Sequence, residues 1–502
     1  LEASQVAGLG RVLLEGIDFS SSPPFEAWLL NERRHVKALT EAVLREGSLA
    51  LLAAGDPETA IDLAARLVAL DPLDESYQAL LIRAYAIAGD PGAAARQLAA
   101  CTELLRRELG VEPGPLVSSA MQVGPASSTR PAASGSTAAR AQLEAGQAAL
   151  KAGAWDTGLQ CLRRAVAEAH STGDVGLKAQ SLFAIGWALA HSGSRIRHEE
   201  GAAALHEVIA LPETTDNASL RAAAYRELAW IELFAARYER TEMWLMKAAA
   251  LAGDDPFERA SILSVRGMYL TEVSHYQDAL RSFHESVETA EEVGDAQTLA
   301  RSLSMLTRIH ALLGELEETR STGAKAIEVI RREGWTSLIP WPECYMAEAE
   351  LIDGNLEAAT QLLEHAFALG VQFDDPCFEA KAARGLGLVH EARGDVDAAL
   401  EWILDARMRL IQQPDSTWLL AHVLDALCRV AVKHRVGNGE RWIGDLERLA
   451  GRTGMRELLA RSYLHRYDRG DERALEAATW LARGIDSPFL HRQLSERTPA
   501  AR

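Results

Sequence analysis

Cysteine is scarce: the 502 residues hold five, Cys101, Cys161, Cys344, Cys377 and Cys428, an odd number with no Cys-x-x-Cys spacing. This excludes a disulfide framework and a cysteine-built metal site, and it reads as reduced thiols serving as small buried hydrophobes in a cytoplasmic protein. Long apolar runs are missing as well. Without a stretch of about 18–20 apolar residues there is no bilayer span, and without an apolar leader there is no export signal, so no membrane partner is expected. Positive charge is in deficit: 52 Lys and Arg stand against 71 Asp and Glu, a formal charge of −19. Residues 1–120 share the imbalance, with 10 basic and 17 acidic residues. DNA affinity depends on basic side chains displacing counterions from phosphates, so neither the chain nor its N-terminal part reads as a DNA binder. An initiating methionine is also missing, and Leu1 already sits in a helix-compatible run. The expectation is a longer protein with a segment ahead of Leu1.

The constellations of catalysis are missing too. The sequence contains no GxxxxGK[ST] phosphate loop, no GxSxG elbow and no HExxH helix. Gly385-Leu386-Gly387 is a fragment of a dinucleotide fingerprint inside a helical pattern, where close packing explains it. His198 and His206 stand eight apart and read as surface residues, and the carboxylates read as solvated outer faces. No catalytic residue, metal site or cofactor is expected, and the chain is not read as an enzyme.

What is present is helical pairing. In residues 55–113, two amphipathic patterns flank Asp71-Pro72-Leu73, with Gly55-Asp56 before, Gly89-Asp90 after and Glu108-Leu109-Gly110-Val111-Glu112-Pro113 closing the stretch. Asp56 is a good N-cap, and Pro57 fits the first turn of the helix it opens. Ala60 and Ala94 keep a spacing of 34. Upstream, Ser20-Ser21-Ser22-Pro23-Pro24 breaks the pattern, after which Phe25, Trp28, Leu29, Leu39, Val43 and Leu44 share a helical face.

The ordered series Leu-Leu-Glu-Gly (13–16), Phe25-x-x-Trp28-Leu29, Glu32-Arg33, Gly55-Asp56, Ala60, Leu70-Asp71-Pro72-Leu73-Asp74-Glu75, Ala88-Gly89-Asp90 and the closing ELGVEP resembles the bacterial transcriptional activator domain of Streptomyces antibiotic regulatory proteins. The likeness covers about residues 1–120 and departs at 114–118, where the family's Ser- and Thr-containing turn is replaced. In that family the domain follows a winged-helix DNA reader. The resemblance therefore implies a regulator that reaches DNA only through a domain not in this chain, with RNA polymerase contact or homodimerisation as roles for residues 1–117.

Residues 118–138, rich in Ser, Ala, Gly and Pro, cannot bury enough surface to offset their ordering entropy and are expected to be a flexible linker. From 139 to 490 the pattern is helical throughout, with residues 491–502 expected as a tail. Gly314, Gly354 and Gly394 stand 40 apart. On that ruler one position reads Gly267, Thr307, Ala347, Gly387; a second reads Ala279, Thr319, Ala359, Ala399; a third reads Ser286, Ala326, Ala366, Ala406. Small residues there let helix backbones approach, with Phe283, Leu363 and Ile403 filling beside them. The array resembles tetratricopeptide repeats with loops longer than those of the 34-residue unit. The fold class is all-α: a short activator domain of tetratricopeptide-like hairpins, then a long right-handed α-solenoid.

The same ruler places Arg301, Trp341 and Lys381 at one groove-lining position, Ser264, Ser304, Cys344 and Arg384 at a second, and Met268, Arg308, Glu348 and Leu388 at a third. A cationic and aromatic strip suits an acidic peptide, a phosphorylated segment or a small anion, while a solvated helix face gives the same pattern. Between repeats, Trp335 and Trp341 form either a rigid lid or plain packing between hairpins. The function expected is the regulatory portion of a transcription regulator, receiving a small-molecule effector or a protein or peptide partner. The alternative is an interaction scaffold without a transcriptional role.

Overall fold

The computed structural model describes residues 13–14, 23–53, 55–109, 112–114, 117–118, 120–121, 135–151, 155–191, 198–212, 218–411 and 416–498. Several expected features lie outside them: Glu15-Gly16, the break at 20–22, Gly110-Val111, most of the linker (122–134), Gly153 and the last four residues. Among the described residues there are 23 α-helices, one 3-10 turn at Thr336–Leu338 and no strand. No helix of them is long and apolar enough to cross a membrane. All five cysteines are free thiols: Cys101, Cys344 and Cys428 are buried, while Cys161 and Cys377 are half-buried. The described residues fall into two compact units, Val36–Leu228 and Leu13–His35 with Ala229–Arg502.

In the first unit, the part of α1 (Pro23–Ala53) from Val36 onward continues into α2 (Pro57–Leu70), α3 (Glu75–Ile87) and α4 (Pro91–Leu109). Each turn follows from its residues. Gly55 and Gly89 take φ of +81° and +79°, a conformation that costs any other L-residue. Asp56 accepts from the Thr59 N–H at 3.2 Å and Asp74 from the Ser76 N–H at 2.8 Å, satisfying amides that a helix start leaves open. The expected close contacts at Ala60 and Ala94 are fully buried. The Gln78 amide donates to the Pro72 carbonyl at 2.8 Å, and the Gly114 N–H donates to the Glu75 carboxylate at 2.6 Å. The motif residues Pro72 and Glu75 are thus held by hydrogen bonds to α3 and to the segment after α4. Four more helices follow: α5 (Ser136–Lys151), α6 (Trp155–Thr172), α7 (Val175–Ala190) and α8 (His198–Ala210). Here the surface reading of His198 and His206 is corrected, since both are buried and the His206 Nε2 pairs with Glu46.

In the second unit, Arg33 donates to the Leu13 and Leu14 carbonyls at 2.8 and 2.7 Å, which joins two pieces of the motif series. From α9 (Ala218–Phe234) and α10 (Tyr238–Ala252) the chain runs through hairpins: α11 (Pro256–Glu272) with α12 (Tyr276–Val293), α13 (Ala296–Leu313) with α14 (Leu316–Glu333), and α15 (Pro340–Asp353) with α16 (Leu356–Phe373). They continue as α17 (Pro376–Ala392) with α18 (Val396–Ile411), α19 (Thr417–His434) with α20 (Gly439–Thr453), and α21 (Arg456–Asp468) with α22 (Ala474–Leu481). The three ruler positions are the seams of these pairs. Thr307, Ala347, Ala279, Thr319, Ala359, Ala399, Ser286, Ala326, Ala366 and Ala406 are fully buried. A Cβ on Gly387 would stand 2.5 Å from Ile403 and 2.8 Å from the Ala399 carbonyl, so Gly385-Leu386-Gly387 is a packing feature.

The turns inside the hairpins are short, contrary to the expectation of longer loops, which holds only for segments such as 334–339 between α14 and α15. Gly314-Glu315 and Gly354-Asn355 are two-residue turns, and the extra length lies in helices of 17 and 18 residues such as α11 and α13. The turn 40 residues before Gly314 falls on Ser274, which adopts φ +64° without being glycine. Its carbonyl accepts from the Asp486 N–H at 3.1 Å, and the neighbouring Tyr276 hydroxyl donates to Glu457 at 2.6 Å, 181 residues away. Ser487 donates to the same Glu457 at 3.0 Å. The last helix, α23 (Pro488–Arg497), crosses the 490/491 boundary drawn for the tail and packs on α13, α21 and α22 through buried Leu490 and Leu494.

Candidate functional site

The first helices of six consecutive hairpins, α11, α13, α15, α17, α19 and α21, face a common cavity of about 670 Å³, its open mouth included. Its wall carries Arg308, Lys381, Arg384 and Arg461 against Glu272, Glu348 and Glu457, with Tyr345, Trp418 and His422 between them. A second cavity of about 320 Å³ shares Glu272, Arg308, Tyr345 and Trp418 with the first, and is otherwise lined by Leu233, Phe234, Met268, Met305 and Trp341. One chamber is charged and its annex is apolar. The Arg308–Glu272 ion pair lines both.

The charges are arranged in couples. Lys381 and Arg384 share one carboxylate, Glu348, at 3.5 and 3.0 Å. Burial pushes the Glu348 carboxyl up, but the two cations outweigh it and hold it below its ordinary range. Burial also lowers the Lys381 ammonium, with Glu348 opposing. Arg461 reaches Asp425 at 3.0 Å and also Glu457, while His465 Nε2 lies 2.9 Å from Asp425. Asp425 is held well below the usual carboxylate range, because Arg461 and His465 outweigh its burial. His422 is driven the other way: burial, then Arg308, Arg384, Arg461 and Lys381, keep its ring neutral. Aromatic faces serve the cations as well, with Lys381 3.9 Å from the Tyr345 ring centre and Arg308 5.2 Å from that of Trp418.

Of the residues singled out from the sequence, Arg308, Glu348, Lys381 and Arg384 meet in the charged chamber, and Trp341 lines the annex beside Trp230 and Phe378, at ring distances of 6.3 and 5.8 Å. Arg301 lies over the Trp230 ring at 5.3 Å and is not part of either lining. Trp335 is half-buried against the cluster of Ile330, Ile339 and Leu303 and lines neither cavity, an arrangement of packing between hairpins and not of a lid. Ser264, Ser304 and Cys344 turn into the seams, and so does Leu388. Apart from Glu348, the carboxylates here were misjudged as outward faces: Glu272, Glu457 and Asp425 are enclosed and paired. Tyr345, Trp418, His422 and Arg461 were not found from the sequence. The ruler itself held a signal for one of them, since Tyr345 directly follows Cys344 in the second lining series. Among the described residues no group of three or more His, Cys, Asp or Glu is placed to hold a metal ion.

The family model of the bacterial transcriptional activator domain matches residues 9–123, which bears out the resemblance carried by the motif series. No curated protein matches the chain. Among solved structures, a Rap protein complexed with competence and sporulation factor is similar at 12% identity, covering 64% of this chain and 100% of that one, with a TM-score of 0.46. NprR in complex with its cognate peptide NprX is similar at 16% identity over 63% of this chain and 92% of that one, with a TM-score of 0.46. Yeast Tom70 is similar at 12% identity over 95% and 99%, with a TM-score of 0.35.

Proposed function

We propose that the chain is the regulatory portion of a transcription regulator. A signal received by the repeats of residues 139–490 is passed to residues 1–117, which support promoter activation through a separate DNA-binding domain. The observation that carries this reading is the activator-domain match over residues 9–123 in the same chain as a chemically differentiated cavity in the helical array. A cavity ligand can act only by favouring one arrangement of the array over another, and its differential affinity sets how far the equilibrium moves. Residues 1–117 then contact RNA polymerase or pair two copies of the chain, and the regulator works in the cytoplasm.

The test is a reporter assay with the 502-residue chain fused behind a heterologous DNA-binding domain. Transcription should rise above that of the DNA-binding domain alone and fall on deletion of residues 9–123. Transcription unchanged by that deletion, with the remaining array still capturing a protein partner, would replace this reading with that of an interaction scaffold.

A further inference from the structure

Three features of the paired cavities converge on one kind of ligand. The first is charge. In a chain of formal charge −19, the chamber wall sets Arg308, Lys381, Arg384 and Arg461 against Glu272, Glu348 and Glu457, with Asp425 paired to Arg461 from outside the lining, so the positive excess is a local one. The excess falls where two cations share Glu348. The second is an unmet donor. Trp418 is 9% exposed, lines both cavities, and its Nε1–H is buried with no acceptor among the described residues. A buried indole N–H normally finds a partner, because leaving it unpaired forfeits its hydration. The third is the annex, whose Leu233, Phe234, Met268, Met305 and Trp341 offer no charge beyond the shared Arg308–Glu272 pair.

Together these describe a place for a molecule with one acidic end and one apolar end. An extended peptide fits less well. Neither cavity is lined by Asn or Gln, the side chains that match the paired donor and acceptor of a peptide bond.

We propose that the chamber and annex together bind a small amphiphilic organic acid, its anionic group between Lys381, Arg384 and the Trp418 Nε1–H, its apolar body against Trp341 and Phe234. This rests on the reading of the array as a sensor and names the class of its effector. The bound anion completes the charge balance at Glu348 and supplies the acceptor that Trp418 lacks. The apolar body excludes water from the annex.

The experiment uses the 502-residue chain with 2-naphthoate as probe and 2-naphthamide as its uncharged counterpart, read by tryptophan fluorescence and calorimetry. Naphthoate should bind once per chain, and naphthamide at least tenfold more weakly. Trp418→Phe, which keeps the ring and removes the donor, should weaken naphthoate several-fold with little change in thermal unfolding. Glu348→Gln should do the reverse and tighten naphthoate several-fold while leaving naphthamide unchanged, a gain that damage to the fold does not produce. The proposal is overturned if the folded chain ignores naphthoate, if acid and amide bind alike, or if Glu348→Gln weakens the acid. It is overturned equally if an eight-residue acidic peptide binds and naphthoate does not displace it. These readouts are independent of transcription, so failure here leaves the reporter assay above to decide the regulatory reading separately.

Discussion

Residues 57–109 and residues 256–411 are built by the same rule, antiparallel helices punctuated by glycine and aspartate, and they make different things. In the first stretch α2 and α3 have 14 and 13 residues, their ends are tied by Asp caps, and small residues such as Ala60 close the seam. In the second, helices run from 14 to 18 residues, a range that the 19-residue α4 of the first stretch exceeds. The seams are again small residues, but the first helices also present ion pairs and aromatic rings to a shared interior. What the first helices carry on their inner faces, more than their length, separates a packing module from one that lines a chamber: α15, with Tyr345 and Glu348 on the wall, is no longer than α2.

That contrast can be broken experimentally. The largest effect is expected at Asp425, which serves Arg461 and His465 together. Asp425→Ala leaves buried Arg461 with Glu457 alone and His465 without its carboxylate, and should cost about 3 kcal/mol, measured by chemical denaturation. An effect under 1 kcal/mol would mean that the charged interior contributes no more than a surface pair. Next comes the seam: Gly387→Val drives a side chain into Ile403 and the Ala399 carbonyl and should cost about 1–3 kcal/mol or more. In the activator-type stretch, Asp74→Ala removes a cap from the Ser76 and Tyr77 amides and should cost about 1 kcal/mol.

The smallest effect is a slope against pH. His422 is neutral in the folded chain because burial and four cations depress its pKa, whereas the unfolded ring titrates near its ordinary value of about 6.5. The unfolded state therefore takes up the proton first, and stability should decline as pH drops below about 6.5. His422→Gln should flatten that part of the profile. An unaltered slope in the variant would move the acid sensitivity to another group.

Much of this was readable from the residues. Glycines 40 apart and small residues in phase with them encode the hairpins directly, because a left-handed turn and a close helix contact each admit few side chains. The activator stretch was legible for the same reason, through Gly55, Gly89 and the capping aspartates. The cavity was only partly legible. Arg308, Lys381 and Arg384 were singled out on the correct face, but a lone arginine or glutamate on a helix looks the same whether it meets water or a partner on a helix 36 residues away, as Arg384 does at Glu348. Arg301 shares the register of Lys381 and still ends against Trp230, since register fixes a face and not what stands opposite it. Ser274 escaped notice because its left-handed turn is held by surrounding contacts and not by the absence of a side chain. The burial of His198 and His206 came from sequence-distant neighbours such as Glu46, which no local pattern reports.

The bonds joining Ser274 and Tyr276 to Asp486 and Glu457 carry a consequence for how the array comes apart. In an open stack of repeats each hairpin answers only to its neighbours, so unfolding frays inward from a free end and stability grows by increments. A clasp between one of the earliest hairpins of the unit and its last helices removes that free end. Loss of the final helix would then be felt at Ser274, more than two hundred residues earlier in the chain, before the hairpins between them. The array would melt as a closed hoop, in a single step, where an open row of the same helices would melt in several.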